Sequence, residues 1–307
     1  MKIAIIGRTE ILYETVELLL KNGYEISLVI TSREAPEYKK TSKDFEELAN
    51  KIGANYIFTN KLDECKEEIK KADCEIAVSL NYSSIISQDV IELFPLGVLN
   101  AHGGDLPKYR GNACQAWAII NKEDRIGLCI HSMIGDQIDS GNIIHRDFLD
   151  IDINTKVTKC WEWMQKRIPY MFLDSIKKLQ ENPDYFLEKQ SKNPKDALRC
   201  YPRIPSDGRI DWNKSNEDIL RLINASNNPY SGAFCYYKEK KLIIWDAELF
   251  VDDEIYLAEV GQVSKINESG SIIVISGDGK LKINEIEYDG FVGKPSIKVK
   301  SIRQRLK

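Results

Sequence analysis

An asparagine and a histidine two residues apart follow an apolar run near the middle of the chain. Asn100 and His102 come directly after residues 98–99, which the pattern predicts as the end of a buried strand. Residues two apart on a strand point to the same side, so we expect the Asn100 amide and the His102 imidazole to project together. An amide N–H can stabilise developing negative charge, and an imidazole titrates near neutrality. The pair is therefore typical of a hydrogen-bond donor beside a general base.

A carboxylate is expected to return to the same place from further along the chain. Residues 103–112 contain glycines and a proline and are predicted as a loop, whereas residues 127–133 have strand character. The loop at 135–141 then carries Asp139, which could orient the imidazole and stabilise the imidazolium. The candidate catalytic residues are therefore Asn100, His102 and Asp139.

Three motifs in register resemble the signature of 10-formyltetrahydrofolate-dependent formyltransferases. They are Asn-x-His at 100–102, Leu-Pro-x-Tyr-Arg-Gly at 106–111 and Asp-x-Gly at 139–141. The segments Tyr-Pro-Arg, Asp-Gly-Arg-Ile-Asp-Trp and Pro-Tyr-Ser-Gly-Ala, which begin at 201, 207 and 229, are similar to the second domain of methionyl-tRNA and nucleotide-sugar formyltransferases. The resemblance implies that a formyl group moves from 10-formyltetrahydrofolate, the co-substrate, to an amine through a tetrahedral oxyanion intermediate.

The order of predicted elements is typical of an α/β domain followed by a smaller β domain. Short apolar strands alternate with helices in the first part, which predicts a Rossmann-like, mostly parallel sheet covered on both faces. A long helix is predicted at 155–179, a polar linker at 191–195, and five short strands after residue 232. These strands favour an OB-like β-barrel, the fold that the resemblance also implies. We therefore expect a Rossmann-like catalytic domain at 1–195 and an OB-like domain at 201–307.

The candidate ligand-binding residues follow from position and from the resemblance. The family places the pteridine pocket beside the end of the strand at 75–80, and core packing is an equal alternative there for the apolar residues. The expected cofactor-binding residues are Leu80, Asn81, Tyr82, Ile85, Gly135 and Asp136. Arginines suit diphosphate oxygens and tyrosine rings suit a base or sugar, although solvated side chains would look the same. The expected substrate-binding residues are Arg8, Tyr109, Arg110 and Tyr230.

Composition and spacing disfavour several other classes of protein. The chain is 43% apolar and 29% charged, has no apolar run of the roughly 20 residues that a membrane helix needs, and begins without the features of a signal peptide, so we expect no membrane partner and a cytoplasmic location. The seven cysteines and three histidines show neither CxxC nor HExxH spacing, which predicts no metal site. His131 and His145 are interpreted as packing or surface residues. The sequence contains no GxSxG motif, so a serine hydrolase is not indicated. Cys114 is interpreted as a buried, inert thiol.

The distribution of charge favours a sugar over a tRNA as the formyl acceptor. The chain has a net charge of −4, and residues 201–307 contain 16 basic and 16 acidic side chains. A tRNA-binding domain usually presents a basic face, so the expected partner is a nucleotide-linked amino sugar and tRNA is the alternative. A basic cluster near the end keeps tRNA open; it comprises Lys294, Lys298, Lys300, Arg303 and Arg305. An alternative of a different functional class is a non-catalytic protein that binds folate or a nucleotide. For the oligomeric state, a homodimer is one of the possibilities.

Overall fold

The structure is a computed structural model that describes residues 1–35 and 38–307. The chain forms two compact units. The first contains residues 1–111, 127–148 and 162–200, and the second contains residues 112–126, 149–161 and 201–307. Two segments inside the expected first domain therefore group with the second unit. The domain limits at 195 and 201 stay a prediction.

The first unit is built, in the part of the chain that the structure describes, on a seven-stranded sheet with the order β3-β2-β1-β4-β5-β7-β8. The strands of this unit are β1 (Lys2–Gly7), β2 (Glu25–Thr31), β3 (Asn55–Phe58), β4 (Ile76–Leu80), β5 (Val98–His102), β6 (Arg110–Gly111), β7 (Arg125–Ser132), β8 (Ile143–Asp150) and β9 (Arg199–Cys200). Pairing is parallel from β3 to β5 and antiparallel between β5 and β7. The short strands β6 and β9 pair with each other in parallel. The predicted Rossmann-like, mostly parallel sheet is confirmed.

The described residues form seven α-helices, of which α5 and α7 belong to the second unit. They are α1 (Glu10–Lys21), α2 (Ser42–Ile52), α3 (Lys66–Ala72), α4 (Gln88–Ile91), α5 (Cys114–Ile120), α6 (Val157–Glu181) and α7 (Asn216–Ala225). In α1 the buried residues Leu12, Val16 and Leu19 recur every three to four positions, and the Thr9 hydroxyl caps the first turn. The helix predicted at 155–179 is α6, which continues through Pro169.

The second unit contains, among the described residues, a separate six-stranded antiparallel sheet with the order β10-β11-β14-β13-β12, and β15 pairs with β14. Its strands are β10 (Ala233–Tyr237), β11 (Lys240–Phe250), β12 (Val263–Ile266), β13 (Ile272–Ile275), β14 (Lys280–Tyr288) and β15 (Phe291–Gly293). The apolar side chains of these strands pack with Trp212 and with Ile219 and Leu220 of α7. The five predicted strands are all present, and β15 was not predicted. No helix within the described residues is both long and apolar enough to cross a bilayer.

Candidate active site

Strand β5 contains the first two candidate catalytic residues and lies where the sheet changes from parallel to antiparallel pairing. It pairs in parallel with β4 on one side and antiparallel with β7 on the other. The register sets Asn100 opposite His131 and His102 opposite Cys129. His102 is only 7% exposed. A polar side chain at such a buried strand end requires hydrogen-bond partners, and they come from the loops after β5 and β7.

Asp139 meets His102 as the sequence predicts. The His102 Nδ1 atom lies 3.3 Å from Asp139 Oδ2, and the same oxygen accepts the Gly111 backbone N–H at 2.9 Å. Asp139 has a φ of 50°, in the left-handed region that Asp tolerates better than most residues. This backbone conformation holds the carboxylate beside the imidazole.

His131 lies in direct contact with this site, so its interpretation as a packing or surface residue was incomplete. Its Nε2 atom lies 3.4 Å from Asp139 Oδ1 and 3.2 Å from Asn100 Nδ2, and its Nδ1 atom lies 2.8 Å from the Ser132 carbonyl oxygen. Because a carbonyl only accepts, Nδ1 carries the proton in the neutral ring. Nε2 is then free to accept an N–H of the Asn100 amide. The antiparallel register of β5 and β7 brings His131 to Asn100, and no motif in the sequence indicated this contact.

Burial and nearby charges determine the protonation states of His102 and Asp139. Burial lowers the pKa of the His102 imidazole, although the Asp139 carboxylate and the Tyr109 carbonyl favour its charged form. Burial opposes ionisation of Asp139, but His102, His131 and the Gly111 N–H outweigh it and hold the pKa of this carboxyl below its ordinary range. Near neutral pH the carboxylate is charged and His102 can accept a proton.

The loop after β5 also brings a carbonyl oxygen to His102. The Tyr109 carbonyl lies 2.6 Å from His102 Nε2, and Tyr109 has a φ of 55°. Gly104 allows this approach, since a Cβ there would lie 2.6 Å from the same Nε2 atom. The Tyr109 side chain itself is buried. The backbone carbonyl of this residue therefore reaches the site, and stacking of its ring on a base or sugar stays a prediction.

Arg146 of β8 anchors this loop and was not identified from the sequence. Its guanidinium pairs with the Asp105 carboxylate, donates to the Leu106 carbonyl at 2.7 Å and pairs with Glu188 at 3.0 Å. Arg110, one of the two arginines expected to bind the diphosphate, donates from Nη2 to Gln190 Oε1 at 2.6 Å. The loop of residues 103–111 is thus held at both ends by arginine contacts.

Arg8 and the residues after β4 form a second polar group at the carboxyl ends of the strands. Arg8 donates from Nε to the Asn81 carbonyl at 2.8 Å and from Nη1 to the Arg33 carbonyl at 2.7 Å. Asn81 is exposed with a φ of 52°, and the Tyr82 hydroxyl donates to the Thr59 carbonyl at 2.8 Å. These bonds show Arg8 bracing two strand ends, and its binding of phosphate stays a prediction.

The other expected folate-binding residues differ in exposure. Leu80 is buried, as in the packing alternative, whereas Ile85 is 62% exposed and available to a ligand. The Gly135 N–H donates to Gln88 Oε1 at 2.9 Å, and the exposed Asp136 has a φ of 60°. Tyr230 belongs to the second unit, where it is half-buried and burial raises the pKa of its hydroxyl. Contact of these residues with folate or acceptor stays a prediction.

Comparison with known proteins identifies the family. Residues 1–172 match the family described as Formyl transferase, and residues 204–302 match its C-terminal domain. The chain belongs to the formyl transferase family. Methionyl-tRNA formyltransferase of Acetivibrio thermocellus is 28% identical to this formyl transferase over 297 residues, which cover 94% of this chain and 92% of that protein. The resemblance identified from the three motifs is confirmed.

Solved structures share the fold of this formyl transferase. An N-formyltransferase from Helicobacter canadensis, in complex with folinic acid and dTDP-3-aminofucose, has a TM-score of 0.67 and 20% identity, covering 92% of this chain and 98% of that one. HypX from Aquifex aeolicus has a TM-score of 0.61 and 15% identity, covering 93% of this chain and 45% of that one. This chain therefore spans less than half the length of HypX. In the described residues, no group of three or more His, Cys, Asp or Glu side chains is arranged to hold a metal ion.

Proposed function

We propose that this formyl transferase moves the formyl group of 10-formyltetrahydrofolate to the amine of a nucleotide-diphospho amino sugar, such as a dTDP- or UDP-linked 3-amino or 4-amino sugar. The observation that carries the reaction class is the contact of His102 with the ionised Asp139. This contact lies beside the Asn100 amide, and the chain belongs to the formyl transferase family. The folate-bound neighbour supports the choice of co-substrate.

Each step of the reaction has a group in this site. The acceptor amine attacks the formyl carbon, and the carbonyl oxygen becomes an oxyanion. The Asn100 amide has two N–H groups, of which one reaches His131 and the other is available to the oxyanion. A donor in this role contributes about 2.7–4 kcal/mol in well-studied sites. The bond from the formyl carbon to N10 then breaks, and N10 of tetrahydrofolate takes up the proton that His102 removed from the amine.

His102 removes the proton of the attacking amine. The ring is neutral before the step, Nδ1–H faces Asp139, and Nε2 accepts the proton when the acceptor amine displaces the Tyr109 carbonyl that lies 2.6 Å from it. The imidazolium that results donates to two acceptors, the Asp139 carboxylate and the Tyr109 carbonyl. A neutral ring has one N–H and can satisfy only one of them. The site therefore stabilises the charged product of proton transfer more than the neutral base, which favours the step.

The acceptor assignment rests on charge and on one neighbour. Residues 201–307 carry equal numbers of basic and acidic side chains, which gives no general attraction to a nucleic acid backbone. The Helicobacter canadensis structure contains a dTDP-linked amino sugar and is matched over 98% of its length. A diphosphate needs a cation, and the planar guanidinium of Arg110 suits it.

Methionyl-tRNA is the second candidate acceptor. The Acetivibrio thermocellus relative is named for that activity and is matched over 92% of its length. In the second unit Lys294, Lys300, Arg303 and Arg305 are exposed, so a local basic surface is available despite the neutral total.

One comparison separates these acceptors. The purified protein, with 10-formyltetrahydrofolate, is offered dTDP-, UDP- and GDP-linked amino sugars and methionyl-tRNA at low and moderate salt, and formylated products are measured by mass spectrometry. We expect transfer to at least one nucleotide sugar with little dependence on salt. Transfer to methionyl-tRNA alone, falling steeply with salt, would replace the sugar by tRNA. Binding of folate without transfer to any amine would instead indicate a non-catalytic protein.

A further inference from the structure

Gln190 is a buried polar residue that the motifs of the family do not include. It lies after α6, between the two matched regions at 1–172 and 204–302, and is 8% exposed. A glutamine amide has two N–H donors and an oxygen with two lone pairs. A buried amide is costly unless these groups are bonded, so its partners show what it does.

The oxygen of the Gln190 amide holds Arg110. Oε1 accepts from Arg110 Nη2 at 2.6 Å and from Nε at 3.2 Å, so both lone pairs face one side of the guanidinium. The guanidinium plane is thereby fixed, and its remaining N–H donors point elsewhere. A hydrogen bond to a charged donor is stronger than one between neutral groups.

The nitrogen of the same amide holds the turn that contains Asp139. Nε2 donates to the Asp139 carbonyl at 2.9 Å and to the Gly141 carbonyl at 2.7 Å. All four hydrogen-bonding positions of Gln190 are then used. Rotating the amide by half a turn would set its N–H groups against the guanidinium and its oxygen against two carbonyls, so its orientation is determined by the contacts.

Gln190 thus acts on the Asp139 backbone, while another group acts on the Asp139 carboxylate. The Gly111 N–H donates to Oδ2, and Gly111 is the neighbour of Arg110. Asp139 is held in a left-handed conformation, in which a small rotation of the backbone would swing its carboxylate away from His102. The two backbone bonds from Gln190, on either side of Ser140, resist that rotation.

We propose that Gln190 is a positioning residue that fixes Arg110 and the Asp139–Gly141 turn relative to each other, so that the cation for the acceptor and the partner of the base are set by one amide. This proposal rests on the proposed roles of Asp139 and Arg110. Gln190 itself touches neither the reacting atoms nor the acceptor.

Two substitutions test separately the hydrogen bonds of Gln190 to Arg110 and those to the Asp139–Gly141 turn. Gln190→Glu keeps an oxygen for Arg110 but replaces the donor by an acceptor that faces two carbonyls, so we expect kcat to fall about 10- to 100-fold with the KM for the acceptor nearly unchanged. Gln190→Met fills the same space and bonds to neither partner, so kcat falls similarly and the KM for the acceptor rises. The KM for folate stays within about 3-fold in both variants. Gln180→Glu, an exposed position on α6, is the matched control and should retain wild-type kinetics.

A second measurement distinguishes positioning from simple support of the fold. In Gln190→Met the carboxylate that favours protonation of His102 is displaced, so the NMR titration of His102 moves to lower pH, and the acid limb of kcat/KM moves with it. Loss of thermal stability alone would leave that titration unchanged. A folded Gln190→Met variant with wild-type kcat and an unmoved His102 titration would overturn the proposal. If the wild-type protein transfers formyl to no amine, the proposed function fails, and the titration still tests the role of Gln190.

Discussion

Replacing Asp139 by Asn tests the role of the carboxylate with the smallest change in shape. Asparagine also tolerates the left-handed φ of 50° at this position, and its oxygen can still accept the Gly111 N–H. The backbone bonds from Gln190 are unaffected, because they go to the Asp139 and Gly141 carbonyls. The substitution therefore removes a charge and leaves the turn in place.

The distance between the two groups sets the size of the effect. A unit charge on Asp139 Oδ2, 3.3 Å from a proton-bearing His102 Nδ1, attracts the imidazolium by about 5 kcal/mol at an effective dielectric constant of about 20. Each 1.36 kcal/mol corresponds to about a tenfold change in rate, so about 5,000-fold is an upper limit. The asparagine oxygen retains part of the attraction as a dipole. We expect kcat to fall between about 100- and 5,000-fold.

The pH dependence gives a second, independent readout. His102 must be neutral to act as the base, so kcat/KM should rise with pH through its pKa, which burial holds below the usual value, and then level off. The Asp139 carboxylate favours the protonated ring. Without it the pKa of His102 falls further, so the acid limb of the Asp139→Asn variant should lie at lower pH, with a lower plateau.

The assay is steady-state release of tetrahydrofolate with a fixed acceptor over a range of pH, together with thermal unfolding. The matched control is Asp73→Asn, because Asp73 has a nearly identical φ of 49° but is exposed, with its carboxylate 3.6 Å from the Lys2 ammonium. A folded Asp139→Asn variant with kcat within about 3-fold of the wild type, or with an acid limb at the same pH, would refute the role assigned to the carboxylate.

Three further substitutions test neighbouring groups. His102→Ala should lower kcat about 10²- to 10⁴-fold while the affinity for a folate analogue, measured by calorimetry, is retained, since the base acts on the acceptor; near-normal turnover would remove the assignment. His131→Phe should lower kcat about 10- to 100-fold through loss of the Asn100 contact, with His145→Phe as control, and an unchanged kcat would show that Asn100 is oriented without it. Arg146→Met removes the ion pair with the Asp105 carboxylate and should lower the free energy of unfolding by about 1–3 kcal/mol in urea denaturation; unchanged stability would show that the loop is anchored elsewhere.

Local patterns account for the parts of the fold that were predicted. Strands such as β1 and β4 are buried on both faces, and such strands appear in a sequence as short, nearly continuous apolar runs. The alternation of side chains along β5 likewise sets Asn100 and His102 on one side of the strand. β15 was missed because Phe291–Gly293 is three residues long and contains no alternation. Pro169 inside α6 shows that tertiary packing can retain a helix where local preference would end it.

The residues that sequence reasoning missed depend on pairings between distant parts of the chain. His131 reaches Asn100 because β7 pairs with β5 in one register, and a shift by one residue would turn its side chain to the other face of the sheet. Gln190 lies in an irregular segment after α6, where no period of hydrophobicity predicts which way a side chain points. Motifs find residues whose neighbours in sequence are fixed, whereas these two are defined by neighbours in space.

The hydrogen-bonding capacity of Asp139 explains why two histidines can share one carboxylate without the same role. If His131 were protonated, its Nε2–H would donate to Asp139 Oδ1, at 3.4 Å, and Nε2 could no longer accept the Asn100 N–H, at 3.2 Å. The amide would lose its fixed orientation, and the carboxylate would already be paired when His102 took a proton. The contact with Asn100 therefore requires His131 Nε2 to accept, and in that arrangement His131 orients the oxyanion donor. The Asp139 carboxylate faces the imidazolium of His102 through its other oxygen, Oδ2.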